Sequence, residues 1–408
     1  MQYAERCAAA RISYNEKTGK SANIISVWVR SSMRKVVVGM SGGVDSSVTA
    51  YLLKEQGYEV EGVSFVLYEA RLKTAFSGCC SLESIDDARK TAGHIGVKHT
   101  VIDLREEFLE RVIEPFIDAY KKGITPNPCI LCNKYIKIPY LLKIAAQKDA
   151  AYIATGHYAR VINNELKKGI DARKDQSYVL YVLQQEELSR LILPLGVKTK
   201  PEVREMAKML DLPAAKRPES QEICFIGDKN YCTFMEGLAE KMEGQIIDVE
   251  TGKTLGIHKG IHLYTIGQRK RMGIAVGKPL YVAAIDPAQN AVYIGPRETA
   301  MRKAFKVEEI NWLVSVGSKQ YGVSCKDSET SIGENAYCQL PAPYSFRATV
   351  KIRSTMKDEP ATITTVDYAV AEVVYDEPQW APAPGQSAVF YDDDTVLGGG
   401  IIRSLNSR

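Results

Sequence analysis

Three cysteines occur in local sequences that could make their thiols reactive. Cys129 and Cys132 lie three residues apart, after two prolines and at the start of a helix predicted to run to Ala150. A helix N-terminus stabilises the thiolate, which is the nucleophilic form of cysteine. Cys224 lies far along the chain, in the string at 220–226. A zinc site built on Cys-x-x-C is the less favoured alternative, because the five histidines include no pair spaced as zinc ligands usually are.

A glycine-rich loop connects the first predicted strand to the first predicted helix. At such a junction, unpaired backbone N–H groups and the positive end of the helix attract an anion. The loop has neither the Lys-Ser/Thr ending of a Walker loop nor the spaced glycines of a dinucleotide fingerprint. Its acidic residue suits a phosphate site only if Mg²⁺ lies between the two, and an ordinary strand-to-helix turn is the alternative. The candidate phosphate-binding residues are Gly39, Met40, Ser41, Gly42, Gly43, Val44, Asp45 and Ser46.

This loop resembles the pyrophosphatase loop of ATP-dependent enzymes that adenylate an oxygen atom and release pyrophosphate. GMP synthetase and the tRNA-thiolating enzymes belong to that group. The resemblance implies ATP as a substrate, with Mg²⁺ near Asp45, and leaves the acceptor of the adenylate open.

The cysteine-containing strings narrow the resemblance to one family. Asn-Pro-x-x-x-Cys-Asn-Lys at 127–134 and Glu-Ile-Cys-Phe at 222–225, taken with the loop, resemble the tRNA-specific 2-thiouridylases (MnmA). The resemblance extends over about residues 33–403, and further matching strings lie at 154–160, 174–178, 264–270 and 397–400.

The resemblance implies a reaction on tRNA. ATP would adenylate the C2 oxygen of the wobble uridine in the anticodon stem-loop and release pyrophosphate. Sulfur from a cysteine persulfide would then displace AMP and give 2-thiouridine. A cysteine desulfurase or a sulfur-relay protein would supply the sulfur.

The same resemblance implies roles for individual residues. Cys132 would be the nucleophile, and Cys224 would carry the persulfide. Phe65 and Gly156 would lie near the adenosine of ATP. It also implies a pocket for the target base, formed by Asn127, Pro128 and Cys129. Further contacts with tRNA are implied for Lys174, Asp175 and Gln176, and for Arg353 and Ser354.

Three positions depart from the family pattern. Many members have Asp where this chain has Cys129, and that carboxylate was a candidate acid/base group. Three thiolates, those of Cys129, Cys132 and Cys224, would suit an iron–sulfur cluster, which is a less favoured alternative to the persulfide route. Ser354 replaces a tyrosine at a proposed RNA contact. Arg271 replaces a glycine and either strengthens a phosphate contact or lies on solvated surface.

Length and composition indicate a folded protein of two or three domains, with 408 residues, 45% of them hydrophobic and 25% charged. No apolar run approaches the roughly 18 residues of a membrane span. A net charge of +4 permits an acidic partner without requiring one. Nine cysteines do not form the dense, even framework of a secreted domain, so we expect a reducing compartment, the cytoplasm.

Two other functions share part of this pattern. A ligase acting on a small metabolite would use the loop but would have no need of the three cysteines. A non-enzymatic RNA-binding or iron–sulfur protein would account for the charge and the thiols but not for the loop. Pyrophosphate release that depends on tRNA would exclude both.

The elements that must position these residues follow a βαβ rhythm. Short β-rich runs alternate with helical patterns, which predicts a parallel sheet with strands at 36–40, 60–66, 99–104 and 151–156. The first helix is predicted to begin near Asp45 or Ser46 and to end at Gly57. Thr199 and Glu202 have the spacing of a capping box at the start of a later helix.

The predicted fold class is α/β, with three parts. A parallel-sheet domain related to the adenine-nucleotide α-hydrolases precedes a small, mostly β central domain and a C-terminal antiparallel β-barrel. We expect the first 32 residues to be a disordered extension or a misassigned start. The predicted boundaries are 1–32, 33–228, 229–295 and 296–408.

Overall fold

The computed structural model describes residues 34–68, 82–216, 223–226, 234–235, 242–274, 277–314 and 343–403. Its strands are β1 Lys35–Gly39, β2 Glu59–Val66, β3 Lys98–Asp103, β4 Tyr152–Ala154, β5 Ala159–Ile162, β6 Glu165–Lys168, β7 Leu191–Ile192, β8 Gly244–Asp248, β9 Thr254–His258, β10 Tyr281–Asp286, β11 Ala291–Gly295, β12 Met301–Trp312, β13 Tyr344–Lys351, β14 Glu359–Thr365, β15 Ala371–Trp380, β16 Ser387–Asp392 and β17 Thr395–Ile402. Its α-helices are α1 Val44–Glu55, α2 Leu82–Ile95, α3 Arg105–Phe108, α4 Glu114–Lys121, α5 Pro128–Cys132, α6 Ile138–Gln147, α7 Gln185–Arg190 and α8 Lys200–Met209. Two π-helical turns, Leu109–Ile113 and Asn133–Lys137, join α3 to α4 and α5 to α6. Short 3₁₀ turns lie at Ser177–Val179, Pro194–Val197, Pro213–Lys216, Ile261–Leu263 and Arg297–Ala300.

Some of the sequence-based expectations concern residues outside this part of the chain. They are the extension at 1–32 and residues 220–222 of the string that contains Cys224.

A five-stranded parallel sheet in the order β3-β2-β1-β4-β7 forms the N-terminal part. Its central strand β1 carries three fully buried valines, Val36, Val37 and Val38. Side chains alternate between the two faces of a strand, so Val37 packs in one hydrophobic core and the other two pack in a second core. Helix α6 contributes to the first core, and α1 and α8 contribute to the second. Both faces of the sheet are therefore covered, as a parallel sheet requires.

The predicted parallel strands are confirmed, with small differences at their ends. The largest difference is at β4, which covers Tyr152–Ala154 instead of the predicted 151–156. The strand ends early because the turn formed by Thr155, Gly156 and His157 leaves the sheet and lines a cleft.

The two predicted helix boundaries are also confirmed. Helix α1 begins at Val44 and ends just before Gly57, whose φ of +83° a residue with a side chain rarely adopts. At the start of α8, Glu202 Oε2 accepts hydrogen bonds from the backbone N–H of Thr199 at 2.6 Å and from its hydroxyl at 2.7 Å. This pair forms the capping box that the spacing predicts.

The central part is a four-stranded sheet in the order β10-β11-β8-β9 around its own hydrophobic core. Strands β8 and β9 form an antiparallel hairpin whose turn contains Gly252 at φ +69°. This confirms the short strands and glycine turns expected for this region.

The C-terminal part is a closed antiparallel barrel of six strands, in the order β12-β15-β14-β13-β16-β17, in which β17 pairs back with β12. The barrel predicted from the alternating strands is therefore confirmed. The hairpin of β5 and β6, which belongs to the N-terminal part of the chain, extends the barrel sheet at β17, where Lys167 lies opposite Thr395. Ion pairs reinforce this junction, with Arg160 and Asp394 at 2.7 Å and Lys168 and Asp358 at 2.8 Å.

No helix in the described part of the chain combines the length and the apolarity needed to cross a bilayer.

Candidate active site

The phosphate-loop candidate has a backbone that depends on glycine. Gly42 has a φ of +75°, and a Cβ built there would lie 2.0 Å from the carbonyl oxygen of Ser84. Gly43 is the N-cap of α1 and has no side chain that could accept from the first-turn N–H groups. Inside the loop, Ser46 Oγ accepts from the backbone N–H of Ser41 at 3.1 Å. These contacts shape a compact loop whose helix N-terminus can receive an anion.

The Asp45 carboxylate forms an ion pair and a hydrogen bond with side chains elsewhere in the chain. Its two carboxylate oxygens each lie 2.7 Å from Lys200 Nζ, and the Tyr158 hydroxyl donates to Oδ1 at 2.7 Å. The Lys200 side chain is 9% exposed and that of Asp45 is 33% exposed, so only the ammonium group of this ion pair is buried. The sequence suggested a role for Asp45 beside phosphate or Mg²⁺, and the structure adds a structural role that holds the start of α1 against α8.

A cleft opens where the carboxyl ends of the parallel strands meet the loop, which is the usual position of a ligand site in such sheets. Phe65 from β2 and Gly156 from the turn after β4 line it together with the loop residues Gly39, Met40, Ser41, Asp45 and Ser46. A Cβ at Gly156 would lie 2.9 Å from the backbone nitrogen of Ser46. The residues expected near the adenosine and those expected near the phosphates therefore share one cleft.

His157 lies at the same wall of the cleft and is neutral at ordinary pH. Its Nδ1 lies 2.7 Å from Thr155 Oγ1. Burial, and secondarily the positive charge of Lys137, lower the pKa of His157 to about 3. A neutral imidazole can orient a ligand by hydrogen bonding but brings no charge to phosphate.

A second histidine supports the cleft from behind. The Ser64 hydroxyl donates to the carbonyl oxygen of Met40 at 2.5 Å and lies 2.8 Å from His99 Nε2. Because that hydroxyl proton is used by Met40, His99 Nε2 carries the hydrogen and donates to Ser64. Burial, and secondarily the charge of Arg89, lower the pKa of His99. Sequence analysis missed this pair, although the position of Ser64 near the carboxyl end of a parallel strand could have suggested it.

The cysteine helix is built as the sequence suggested. Asn127 is the N-cap of α5, and its Oδ1 accepts from the backbone N–H of Cys129 at 3.1 Å. Pro128 is the first helical residue, where its missing N–H costs nothing. Cys129 is exposed, whereas Cys132 is 4% exposed.

Cys132 and Cys224 approach the same hydrophobic core. Cys132 is a buried member of that core, and the half-buried Cys224 packs against it. Within the described residues, no three histidine, cysteine or carboxylate side chains are arranged to hold one metal ion. The ligands of an iron–sulfur cluster bind different iron atoms, so a cluster at Cys129, Cys132 and Cys224 stays the less favoured alternative.

The residues expected to contact tRNA fall into different surroundings. Gln176 lines the cleft, and its Oε1 accepts from the backbone N–H of Tyr158 at 2.9 Å. Asp175 forms a buried ion pair with Lys351 of the barrel at 3.4 Å. Arg353 donates to the carbonyl oxygens of Ile266 and Ala381 at 3.0 and 2.9 Å.

Asp175 and Arg353 thus make contacts within the chain. Lys174 is half-buried and Ser354 is exposed. Direct contact of these four residues with RNA stays a prediction.

Comparisons with known proteins assign the three parts of the fold to one family. Family models match a tRNA methyl transferase HUP domain at residues 34–228, a tRNA methyl transferase PRC-barrel domain at 232–296 and an aminomethyltransferase β-barrel domain at 302–402. The chain is 47% identical over 379 residues to tRNA-specific 2-thiouridylase MnmA 2 of Caldanaerobacter subterraneus subsp. tengcongensis, covering 90% of this chain and 97% of that protein. It is 44% identical over 382 residues to the tRNA-specific 2-thiouridylase MnmA of Halothermothrix orenii, covering 91% and 99%.

A solved 4-thiouridine synthetase, in complex with RNA and bound ATP, is similar at a TM-score of 0.31 and 20% identity, over 47% of this chain and 45% of that one. That structural similarity is too low to indicate a shared function. The family is shown instead by the sequence identity to the two thiouridylases, which extends over nearly their whole length. The resemblance seen in the loop and cysteine strings is confirmed, and the chain belongs to the tRNA-specific 2-thiouridylase (MnmA) family.

Proposed function

We propose that the protein is an ATP-dependent tRNA 2-thiouridylase that replaces the C2 oxygen of the wobble uridine with sulfur. One observation carries this proposal. Phe65, Leu67 and Leu141 line the nucleotide cleft and also belong to the hydrophobic core that contains Cys132. The cleft and the two cysteines therefore border the same hydrophobic core, which supports a two-step reaction on one base.

In the first step the base is activated. The C2 oxygen attacks the α-phosphorus of ATP, the bond to the β-phosphate breaks, and pyrophosphate leaves. The loop N–H groups and the hydroxyls of Ser41 and Ser46 stabilise the charge that develops on the phosphates. Mg²⁺ reaches the site as part of the MgATP substrate, near Asp45. The base must first leave the anticodon stack, as in other enzymes that act on a base.

In the second step sulfur replaces the adenylated oxygen. The terminal sulfur of a Cys224 persulfide attacks C2 and AMP leaves. The Cys132 thiolate then attacks the sulfur of Cys224, which forms a Cys132–Cys224 disulfide and releases the thiolated base. Alternatively, Cys132 attacks the persulfide first and frees hydrosulfide, which attacks C2. Both routes end in the same disulfide, so an external thiol must reduce the enzyme after each turnover.

Further assignments follow from the family. Asn127, Pro128 and Cys129 line the target base, and Lys174, Gln176 and Ser354, none of which is buried, contact the tRNA. A cysteine desulfurase or a relay protein loads the persulfide. Because thiols and persulfides persist in a reducing compartment, we further propose that the enzyme works in the cytoplasm.

Pyrophosphate release from ATP, measured with and without tRNA, tests the proposal. The expected result is release that depends strongly on tRNA, because the acceptor of the adenylate is a base in that RNA. A small-metabolite ligase does not use tRNA, so any release it showed would be unchanged by tRNA, and a non-enzymatic RNA-binding protein would release none. Either of those results would refute the proposal.

A further inference from the structure

We infer that Lys137 binds the phosphates of the nucleotide and supplies positive charge for the adenylation step. This deepens the proposed function and rests on it. Lys134 and Lys137 both lie in the π-helical turn Asn133–Lys137. The structure separates the two, because Lys137 lines the cleft and Lys134 is exposed.

The other titratable side chains that line the cleft supply no positive charge for a bound phosphate. Asp45 also lines the cleft, but its carboxylate is paired with Lys200 at 2.7 Å. His157 is neutral because its pKa is lowered to about 3. Among the described residues that line the cleft, Lys137 is the only permanently cationic side chain. A triphosphate brings several negative charges, and their stabilisation is the main task of a phosphoryl-transfer site.

Lys137 shares the cleft with the phosphate loop. Gly156 packs against the backbone of Asp45 and Ser46, at the N-terminus of α1, where the phosphates are expected. His157 follows Gly156 and lines the cleft together with Lys137. The lysine therefore lines the same cleft as the loop residue Ser46.

The π-helical turn explains how the lysine reaches the cleft. Lys137 is five residues after Cys132, and at the 3.6 residues per turn of an α-helix, side chains five apart point about 140° away from each other. Here the backbone N–H of Ile138 donates to the carbonyl oxygen of Asn133, which is a five-residue hydrogen bond. The wider turn brings positions five apart nearer to one face. One helix can thus present both the buried thiol and the ammonium group to the site.

The test compares Lys137→Met and Lys137→Arg with Lys134→Met, a matched control in the same turn. The dissociation constants of the full-length chain are measured for a non-hydrolysable ATP analogue with Mg²⁺ and for adenosine, both without tRNA. Lys137→Met should weaken binding of the analogue about tenfold or more and leave adenosine binding unchanged. Lys137→Arg should retain most of the affinity, and Lys134→Met should retain all of it.

Equal losses for the analogue and adenosine in Lys137→Met would mean a general disturbance of the cleft and would overturn the inference. No loss for either ligand would overturn it as well. With tRNA and saturating ATP, Lys137→Met should also slow pyrophosphate release about a hundredfold, and an unchanged rate would refute the catalytic part. If the wild-type chain released no pyrophosphate, the proposed function would fail, while the binding comparison would still decide whether Lys137 contacts phosphate.

Discussion

Cys132 and Cys224 contact the same hydrophobic core but differ in access to solvent, because Cys132 is 4% exposed and Cys224 is half-buried. The more accessible thiol is the one that a donor protein can reach. We therefore expect Cys132→Ser and Cys224→Ser each to abolish 2-thiouridine formation. Only Cys224→Ser should prevent transfer of labelled sulfur from a cysteine desulfurase to the enzyme.

The label is located by mass spectrometry of peptides from each variant. Label on Cys132 in the Cys224→Ser protein would mean that the two roles are exchanged. Thermal melting serves as the control, since serine is nearly the size of cysteine and should leave both variants folded.

His99 should make the stability of the fold sensitive to acid. Its pKa is lowered in the folded protein, chiefly by burial and secondarily by Arg89, so the folded state binds this proton less readily than the unfolded state does. The contribution of neutral His99 to the free energy of unfolding is complete above the ordinary histidine pKa of about 6.5 and is lost as the pH falls below that value. In His99→Gln, whose amide can still donate to Ser64, the free energy of unfolding should depend less on pH between about 7.5 and 5.

Urea denaturation at several pH values measures this dependence. An equally steep loss of stability in wild type and His99→Gln would show that other groups govern the acid response.

The ion pair of Asp45 could not be predicted from the sequence around it. The place of Asp45 in the glycine-rich loop could be predicted from the neighbouring residues. Its partner Lys200 lies 155 residues away, at the first position of a helix that was itself predicted correctly. The pairing depends on how α1 packs against α8, and no local pattern encodes that packing. Substitution of Asp45 would therefore also leave a buried ammonium group without its carboxylate.

At the scale of elements, the first turn of α5 has a specific anchor. Asn127 accepts a hydrogen bond from the backbone N–H of Cys129 at 3.1 Å and so holds the turn that carries the cysteines. Asn127→Ala should lower the free energy of unfolding by about 1 kcal/mol. Asn127→Ser, whose side chain can still cap the helix, should lower the free energy of unfolding by only about a few tenths of a kcal/mol.

Chemical denaturation of the two variants gives the comparison. If serine destabilises the protein as much as alanine does, the side chain acts through something other than the cap.

Strands and helix ends were the most predictable elements, and the reasons are local. Buried valines mark β1, and Gly57 and the Thr199–Glu202 pair mark helix ends through backbone geometry and hydrogen bonds. The π-helical turn Asn133–Lys137 was not predicted, because its residues favour an ordinary α-helix. Compared with an α-helix, this turn contains one additional residue, which can be identified only when the packing of both flanking helical segments is known.

At the scale of the whole molecule, the barrel and the catalytic part are joined by a buried ion pair. Asp175 and Lys351 are 3.4 Å apart, with side chains 4% and 7% exposed. Asp175→Ala should destabilise the protein by about 3–5 kcal/mol, since it leaves a buried ammonium group unpaired. Lys351→Met should cost less, because the Asp175 carboxylate keeps hydrogen bonds from Gly169 and Ser177.

Thermal melting of both single variants and of the double variant measures the coupling, and the double variant should lose less than the sum of the two. If Asp175 instead contacts tRNA directly, Asp175→Ala would weaken tRNA binding and leave the melting temperature unchanged.

The order of the three parts along the chain could be predicted, but their interlocking could not. Strands β5 and β6 precede the barrel by more than a hundred residues, and a single residue pair, Lys167 with Thr395, joins them to β17. A two-residue loop predicts a hairpin but not its neighbour in space. The ion pairs that secure the junction likewise join residues far apart in the sequence.

In the proposed reaction, one site couples adenylation of a tRNA base to its thiolation. The direct measurement is mass spectrometry of nucleosides from an unmodified tRNA transcript incubated with the enzyme, MgATP and a persulfide donor. We expect 2-thiouridine at the wobble position, with one pyrophosphate released per thiolated base and no product when ATP is omitted. A transcript that stays unmodified while pyrophosphate is released, or one that is thiolated without ATP, would contradict it.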